Sequence, residues 1–188
     1  MAGKIIETME KIMDSSEIQK AIEETAQEII REFEEYEKLA IIGIKTRGVP
    51  IARRLKDRLV ELTGREVPVG ELDITFYRDD LTLISSAPVV KGTRIDFDVN
   101  DRYIILVDDV LYTGRTVRSA LDEILVDFGR PEVIRLFVIV DRGNRELPIC
   151  ADYVGKKIYI PRDKIVDVLV REIDGKDEVI VRGKEERL

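Results

Sequence analysis

The chain has no histidine, one cysteine and no long apolar run among its 188 residues. Each shortage closes off a class. Cys150 has no partner for an intrachain disulfide, so the core must hold the fold. No stretch approaches the roughly 18 apolar residues of a membrane-spanning helix, so no membrane association is expected. Residues 1–13 mix charges with single apolar side chains and carry no secretory h-region, which predicts a cytoplasmic location. Without histidine the usual general base is missing. A carboxylate, a water or hydrogen bonds to an anion must serve instead. Positive charge is also short: 31 Lys and Arg stand against 38 Asp and Glu, a net charge of −7. That disfavours a general nucleic-acid binder and leaves room only for a local basic patch.

What is present is a globular composition, 44% hydrophobic, long enough for a single domain over 1–188 with a good core. The chain is organised around residues 103–118. Ile104, Ile105, Leu106 and Val107 read as a buried central strand, and Asp108 and Asp109 follow at its C-terminal edge. Thr113-Gly114-Arg115-Thr116 comes next, and then a helix pattern in Val117, Ala120, Leu121, Ile124 and Leu125. A strand, a small hydroxylated turn and a helix N-terminus make an anion site, because free N–H groups and the macrodipole face the turn. Paired carboxylates beside that cradle suit a sugar diol, or Mg2+ held through water. Together they imply a ribose 5-phosphate.

Other strand ends repeat the arrangement. Residues 39–44 form a short apolar strand, followed by Lys45-Thr46-Arg47-Gly48 and a helix with Pro50 in its first turn. Residues 133–140 form another strand, ending in Asp141-Arg142-Gly143. An amphipathic helix is expected over 15–38, capped by Ser15 or Ser16. Residues 67–77 read as a strand and 93–99 as its return, while 163–170 and 179–181 close the fold as two strands. Alternating strands and helices with polar loops at strand ends predict an α/β, doubly wound, mostly parallel sheet.

The stretch Val107-Asp108-Asp109-Val110-Leu111-Tyr112-Thr113-Gly114-Arg115-Thr116 resembles the phosphoribosyl diphosphate (PRPP) motif of type I phosphoribosyltransferases. Its wording is similar to that of the bifunctional pyrimidine operon attenuators and uracil phosphoribosyltransferases. Gly43-Ile44-Lys45-Thr46-Arg47-Gly48, Tyr77-Arg78-Asp79-Asp80 and Val140-Asp141-Arg142-Gly143 agree with the same family. The resemblance implies the type I phosphoribosyltransferase fold, with a lid hairpin at about 70–100 and a small hood at about 145–165. It implies transfer of phosphoribose from PRPP to uracil, giving UMP and diphosphate, with Mg2+ held mainly by PRPP and by Asp108 and Asp109. Thr113, Gly114, Arg115 and Thr116 would hold the 5-phosphate. Thr46, Arg47 and Arg78 would hold the diphosphate, with Arg78 in the lid and catalytic beside Asp108 and Asp109. Tyr112, Arg142, Tyr153 and Val154 would meet the nucleobase, Tyr153 by stacking and Val154 through its backbone. Family members form dimers or larger assemblies, so a homo-oligomer is expected.

Tyr112 stands where purine-specific enzymes tend to carry an aspartate. A phenol with an unperturbed pKa of roughly 10 is a poor base at neutral pH, which favours a pyrimidine over a 6-oxopurine. The attenuator half of the family binds a pyrimidine operon mRNA hairpin, partly through its N-terminal helix. Here that helix carries Glu23, Glu24, Glu28 and Glu32, and Asn144 replaces a family histidine, whereas Arg145, Lys156, Lys157 and Arg162 remain basic. A nucleotide-sensing RNA regulator without turnover is the rival from another class.

Overall fold

The computed structural model describes residues 9–74 and 92–184. Arg78, with the rest of Tyr77-Arg78-Asp79-Asp80, lies outside the described residues, as does most of the expected lid hairpin.

Five parallel strands form the main sheet, in the order β3 (Val69–Leu72), β2 (Leu39–Ile44), β4 (Tyr103–Leu111), β5 (Val133–Asp141) and β6 (Tyr153–Lys157). Strands β2 and β4 are apolar on both sides, as burial between two helical layers requires: every residue of β2 is buried, and so are Ile104 to Val107 of β4. Helices α1 (Ser15–Glu32) and α2 (Gly48–Thr63) cover one face. Ile18, Ile22 and Ile29 of α1 and Ile51, Leu55 and Leu59 of α2 meet Ile41, Ile105, Phe137 and Ile139 there. The opposite face packs Ile42, Ile104, Leu106 and Val138 against Val117, Ala120 and Ile124, on and just past α3 (Arg115–Glu123). Strand residues alternate between these two cores with period two, and the helices supply theirs at steps of three and four.

A second sheet of three antiparallel strands, in the order β1 (Glu10–Met13), β8 (Glu178–Gly183) and β7 (Lys164–Leu169), extends the first core through Val168, Val179 and Val181. A short helix, α4 (Arg171–Asp174), joins β7 to β8. This sheet corrects the hood expected at 145–165. Residues 153–157 are instead the fifth strand of the main sheet, paired with β5, and the hood comes from both ends of the described chain.

Smaller differences have local causes. Asp14, not Ser15 or Ser16, caps α1: its carboxylate accepts the Glu17 N–H at 2.9 Å, and Glu17 returns the bond to the Asp14 N–H. The helix stops at Glu32, and residues 36–38 form a separate 3-10 turn. The expected return strand at 93–99 reduces to one antiparallel bridge between Glu71 and Arg94. The central strand runs on past the carboxylates to Leu111, because β5 pairs with it that far.

The strand order places a reversal between β2 and β4. From β2 the chain crosses through α2 to β3 on one side, and β4 and β5 then build outward on the other. Ligand crevices form at such a reversal, beyond the carboxyl ends of the strands. Gly48 lets α2 begin there: a Cβ at this position would lie 2.5 Å from the Val107 carbonyl oxygen. Any side chain would push the helix start off β4.

Candidate active site

A cleft of about 650 Å3 opens at the carboxyl ends of β2 and β4. Three loops and one hood strand line it: 45–47 after β2, 108–117 at the end of β4, Arg142 after β5, and 164–167 on β7. Seven basic residues, Lys45, Arg47, Arg115, Arg142, Arg162, Lys164 and Lys184, line it beside three carboxylates, Asp108, Asp109 and Asp167, while Glu71, Asp174 and Glu146 pair with Lys45, Arg47 and Arg115 from outside the lining. A chain with a net charge of −7 thus gathers positive charge at one opening, which draws in a polyanion.

Asp108 and Asp109 sit on the last third of β4, where a regular strand would send them to opposite faces. Both nonetheless line the cleft. Each carboxylate folds back on the next amide: Asp108 accepts the Asp109 N–H and Asp109 accepts the Val110 N–H, both at 2.9 Å. Asp108 is buried, 6% exposed, and Asp109 more open. Two adjacent carboxylates with these backbone bonds are fixed acceptors for hydroxyls or for the water shell of a divalent cation.

The phosphate turn follows. Gly114 has φ +94, a left-handed conformation that L side chains rarely adopt, and α3 starts at the next residue. The Thr113 carbonyl accepts N–H groups of Glu146 and Leu147, at 2.9 and 3.1 Å, which fixes the turn from outside. The first-turn N–H groups of α3 have no acceptor within the helix; that of Arg115 meets the Thr113 hydroxyl oxygen at 3.3 Å, and residues 113–117 all line the opening. The guanidinium of Arg115 bonds Glu146 at 2.8 Å, so this residue meets an anion best through its backbone.

Sequence reasoning missed the brace behind this turn. Arg145 donates to the carbonyls of Leu111, Tyr112 and Gly143 through Nη1, and to that of Ile149 through Nε. Its Nη2 lies 2.5 Å from Asp141, a buried carboxylate that also accepts the Gly143 N–H. One planar fork thereby ties the end of β4 to the loop that holds the turn. The only sequence signal was a charge, which gives no direction.

Opposite, Thr46 and Arg47 lie on the loop that opens α2, after a cis peptide bond between Lys45 and Thr46. Lys45 reaches the Gly92 carbonyl and lies 3.4 Å from Glu71. Arg47 grips Asp174 of α4 with two bonds, Nε at 3.0 Å and Nη2 at 2.8 Å. That carboxylate, then the charges of Asp109 and Asp167, hold the Arg47 guanidinium above its usual pKa.

The residues expected at a nucleobase divide. Tyr112 and Arg142 line the cleft together, with the guanidinium carbon of Arg142 4.2 Å from the Tyr112 ring centre. The arginine is only 4% exposed. It spends Nη1 on the Lys164 carbonyl and Nη2 on those of Ile160 and Pro161, so it anchors the hood linker. Burial pulls its pKa down. Tyr153 and Val154 are not brought to the cleft. The Tyr153 ring lies in the core beneath α1 and its hydroxyl donates to Glu32. Burial first, and then Glu32, push that phenol's pKa up. Val154 packs with Ile149 and Ala151 on the other face. Both belong to β6, the edge strand of the main sheet, where the Tyr153 side chain enters one core and that of Val154 the other. The wall they were expected to form is supplied by Lys164, Ile165, Val166 and Asp167 of β7.

Residues 8–172 match the family model described as "Phosphoribosyl transferase domain". A hypoxanthine phosphoribosyltransferase structure from Staphylococcus aureus superposes with a TM-score of 0.70 at 19% identity, covering 93% of this chain and 91% of that one. At that identity the likeness concerns the fold alone. A parallel sheet with a phosphate turn and a carboxylate pair at its reversal therefore has the architecture of a type I phosphoribosyltransferase.

Closer relatives narrow the class. "Bifunctional protein PyrR" of Clostridioides difficile is 53% identical over 172 residues, covering 92% of this chain and 97% of that protein. The protein of the same name from Deinococcus radiodurans is 55% identical over 168 residues, covering 89% and 91%. The chain belongs to the phosphoribosyltransferase family and, within it, to the bifunctional PyrR proteins.

Proposed function

We propose that the chain transfers phosphoribose from PRPP to uracil, giving UMP and diphosphate, as one phosphoribosyltransferase domain over 1–188. One observation carries the reading: the carboxylate pair Asp108 and Asp109, the phosphate turn 113–116 and the basic loop 45–47 share a single cleft. A ribose with a 5-phosphate at one end and a diphosphate at the other calls for these three groups together.

In this reading the Thr113 and Thr116 hydroxyls and the N–H groups of Gly114, Arg115 and Thr116 hold the 5-phosphate. Asp108 and Asp109 accept the ribose hydroxyls and stabilise positive charge developing at the anomeric carbon. Thr46 and Arg47 take up charge on the departing diphosphate, and Arg78 keeps the diphosphate contact that the resemblance gives it. The bond from the anomeric carbon to the diphosphate oxygen breaks, and one to uracil N1 forms. The base faces Ile165 and Val166 on the hood side, with Tyr112 over Arg142 beside it.

Mg2+ fits this donor set. Among the described residues no three Asp, Glu, His or Cys side chains converge on a metal position, so the pair Asp108 and Asp109 would hold the ion with PRPP oxygens and water. When bound it neutralises diphosphate charge. Base deprotonation has no histidine to serve it. The seven basic groups around the cleft favour the uracil anion.

A second role, UMP-dependent attenuation at a pyrimidine operon mRNA hairpin, is supported by the relatives' bifunctional name. A homo-oligomeric state and a cytoplasmic location complete the proposal. No helix among the described residues is long and apolar enough to cross a membrane.

The test is UMP formation from uracil, PRPP and Mg2+, with hypoxanthine in parallel. UMP as product supports the reading. Inosine monophosphate overturns the pyrimidine assignment, and tight UMP binding without product leaves a nucleotide-sensing regulator.

A further inference from the structure

The pair between Arg47 and Asp174 joins two parts of the molecule that are 127 residues apart in sequence. Arg47 stands at the start of α2, on the cleft. Asp174 ends α4, the short helix linking the hood strands. The geometry is a fork on a carboxylate: Nε meets Oδ2 at 3.0 Å and Nη2 meets Oδ1 at 2.8 Å. Asp174 is itself held, since Oδ2 also accepts the Val170 N–H at 2.9 Å. Its side chain is only 16% exposed, and that of Arg47 30%. With Nε and Nη2 engaged, the guanidinium plane is fixed and Nη1 is the nitrogen not bound to Asp174.

A second arginine on the same helix makes the comparison. Arg54, two turns further along α2, bonds Glu172 and Asp177 of the same hood segment, and it does not line the cleft. The Arg54 contacts can only fasten the hood. The Arg47 contact does that and also orients a cleft residue.

We propose that Asp174 is a positioning residue for diphosphate recognition: it presets the Arg47 guanidinium so that Nη1 is offered to the diphosphate of PRPP. This rests on the reading of the cleft given above. Asp174 does not touch the substrate and acts through Arg47. An arginine without this anchor regains its side-chain freedom and must be ordered again at each binding event. Part of the affinity for PRPP thus resides in the hood, outside every motif that marks the site in sequence.

The experiment measures binding of Mg2+-PRPP and of Mg2+-diphosphate by calorimetry, together with kcat and KM for PRPP and thermal melting. Asp174→Asn keeps the shape and the bond to Val170 but removes the charge. It is expected to weaken binding of both ligands about three- to tenfold, the cost of immobilising one long side chain. KM for PRPP rises in step, kcat at saturation stays within twofold, and binding of UMP, which has no diphosphate, is unchanged. In an Arg47→Ala background the same change has no further effect on binding, because coupled residues do not add. Arg54→Gln lowers the melting temperature and leaves PRPP binding unchanged, which separates fastening from positioning.

Asp174→Asn binding PRPP as tightly as the parent, or more tightly, overturns the proposal. So does an equal loss in the Arg47→Ala background, or an equal loss of UMP binding. If the parent binds PRPP and makes no UMP, the transferase reading fails while the binding comparison still decides the role of Asp174. A parent that binds neither PRPP nor diphosphate overturns both.

Discussion

At the scale of single residues, the site depends on side chains locked by the backbone. Asp108 and Asp109 each bond the following amide, so amide substitution changes charge while keeping most of the shape. Asp108→Asn and Asp109→Asn are each expected to lower kcat on the order of a hundredfold or more, the scale set by removing one preorganised electrostatic contact. Steady-state assays at saturating PRPP read it, with circular dichroism to show that the fold is kept. Arg145 acts differently. It serves four carbonyls and Asp141 without lining the cleft. Arg145→Ala leaves carbonyls of Leu111 and Tyr112 without that donor and should cost ~2 kcal/mol of stability in urea unfolding. It should also raise KM for PRPP, because those carbonyls directly precede the phosphate turn. An unchanged KM in a destabilised variant would confine Arg145 to the fold.

Elements show what the sequence made legible. Strand 39–44 was readable because burial on both faces demands an unbroken apolar run, and β2 has those bounds. The phosphate turn was readable because its needs are local: a glycine at positive φ, two hydroxyls and a helix start. The hood was not. β1 pairs with β8 across most of the chain, Glu10 beside Val181, and nothing local announces such a partner. Tyr153 misled for a related reason, since an aromatic residue near a site looks the same whether it faces ligand or core. The Arg47 to Asp174 pair is equally long-range. Helix starts carry their own prediction. Gly48→Ala would set a Cβ 2.5 Å from the Val107 carbonyl oxygen, against backbone that cannot swing aside. The expected cost is ~1–3 kcal/mol, the usual scale of overpacking, with a loss of PRPP affinity as the loop 45–47 shifts. At the start of α1, Asp14→Ala removes only a cap and should cost ~1 kcal/mol without touching affinity. Thermal melts paired with PRPP titrations distinguish the two.

The whole molecule is a doubly wound sheet with a hood fastened to α2 by charge. Arg47 bonds Asp174, and Arg54 bonds Glu172 and Asp177. The arginine beside each holds Asp174 and Glu172 below their usual pKa. For Asp177 burial pushes upward, but Arg54 and the Arg171 N–H outweigh it, so it too is lowered. A carboxylate whose folded pKa is depressed contributes stability above its unfolded pKa and loses it as pH falls through the folded value. Three such groups on one hood segment therefore make the fastening sensitive to acid below about pH 4, the ordinary carboxylate range. Melting temperature should fall steeply there, and far-UV circular dichroism should lose strand signal with it. Replacing Asp174 and Asp177 together by Asn removes the charges in advance. The double variant should melt lower at neutral pH and lose less on acidification, so that its curve approaches the parent's at low pH. Parallel curves for the two proteins would place the acid-sensitive groups elsewhere and leave the hood held by the core of Val168, Val179 and Val181.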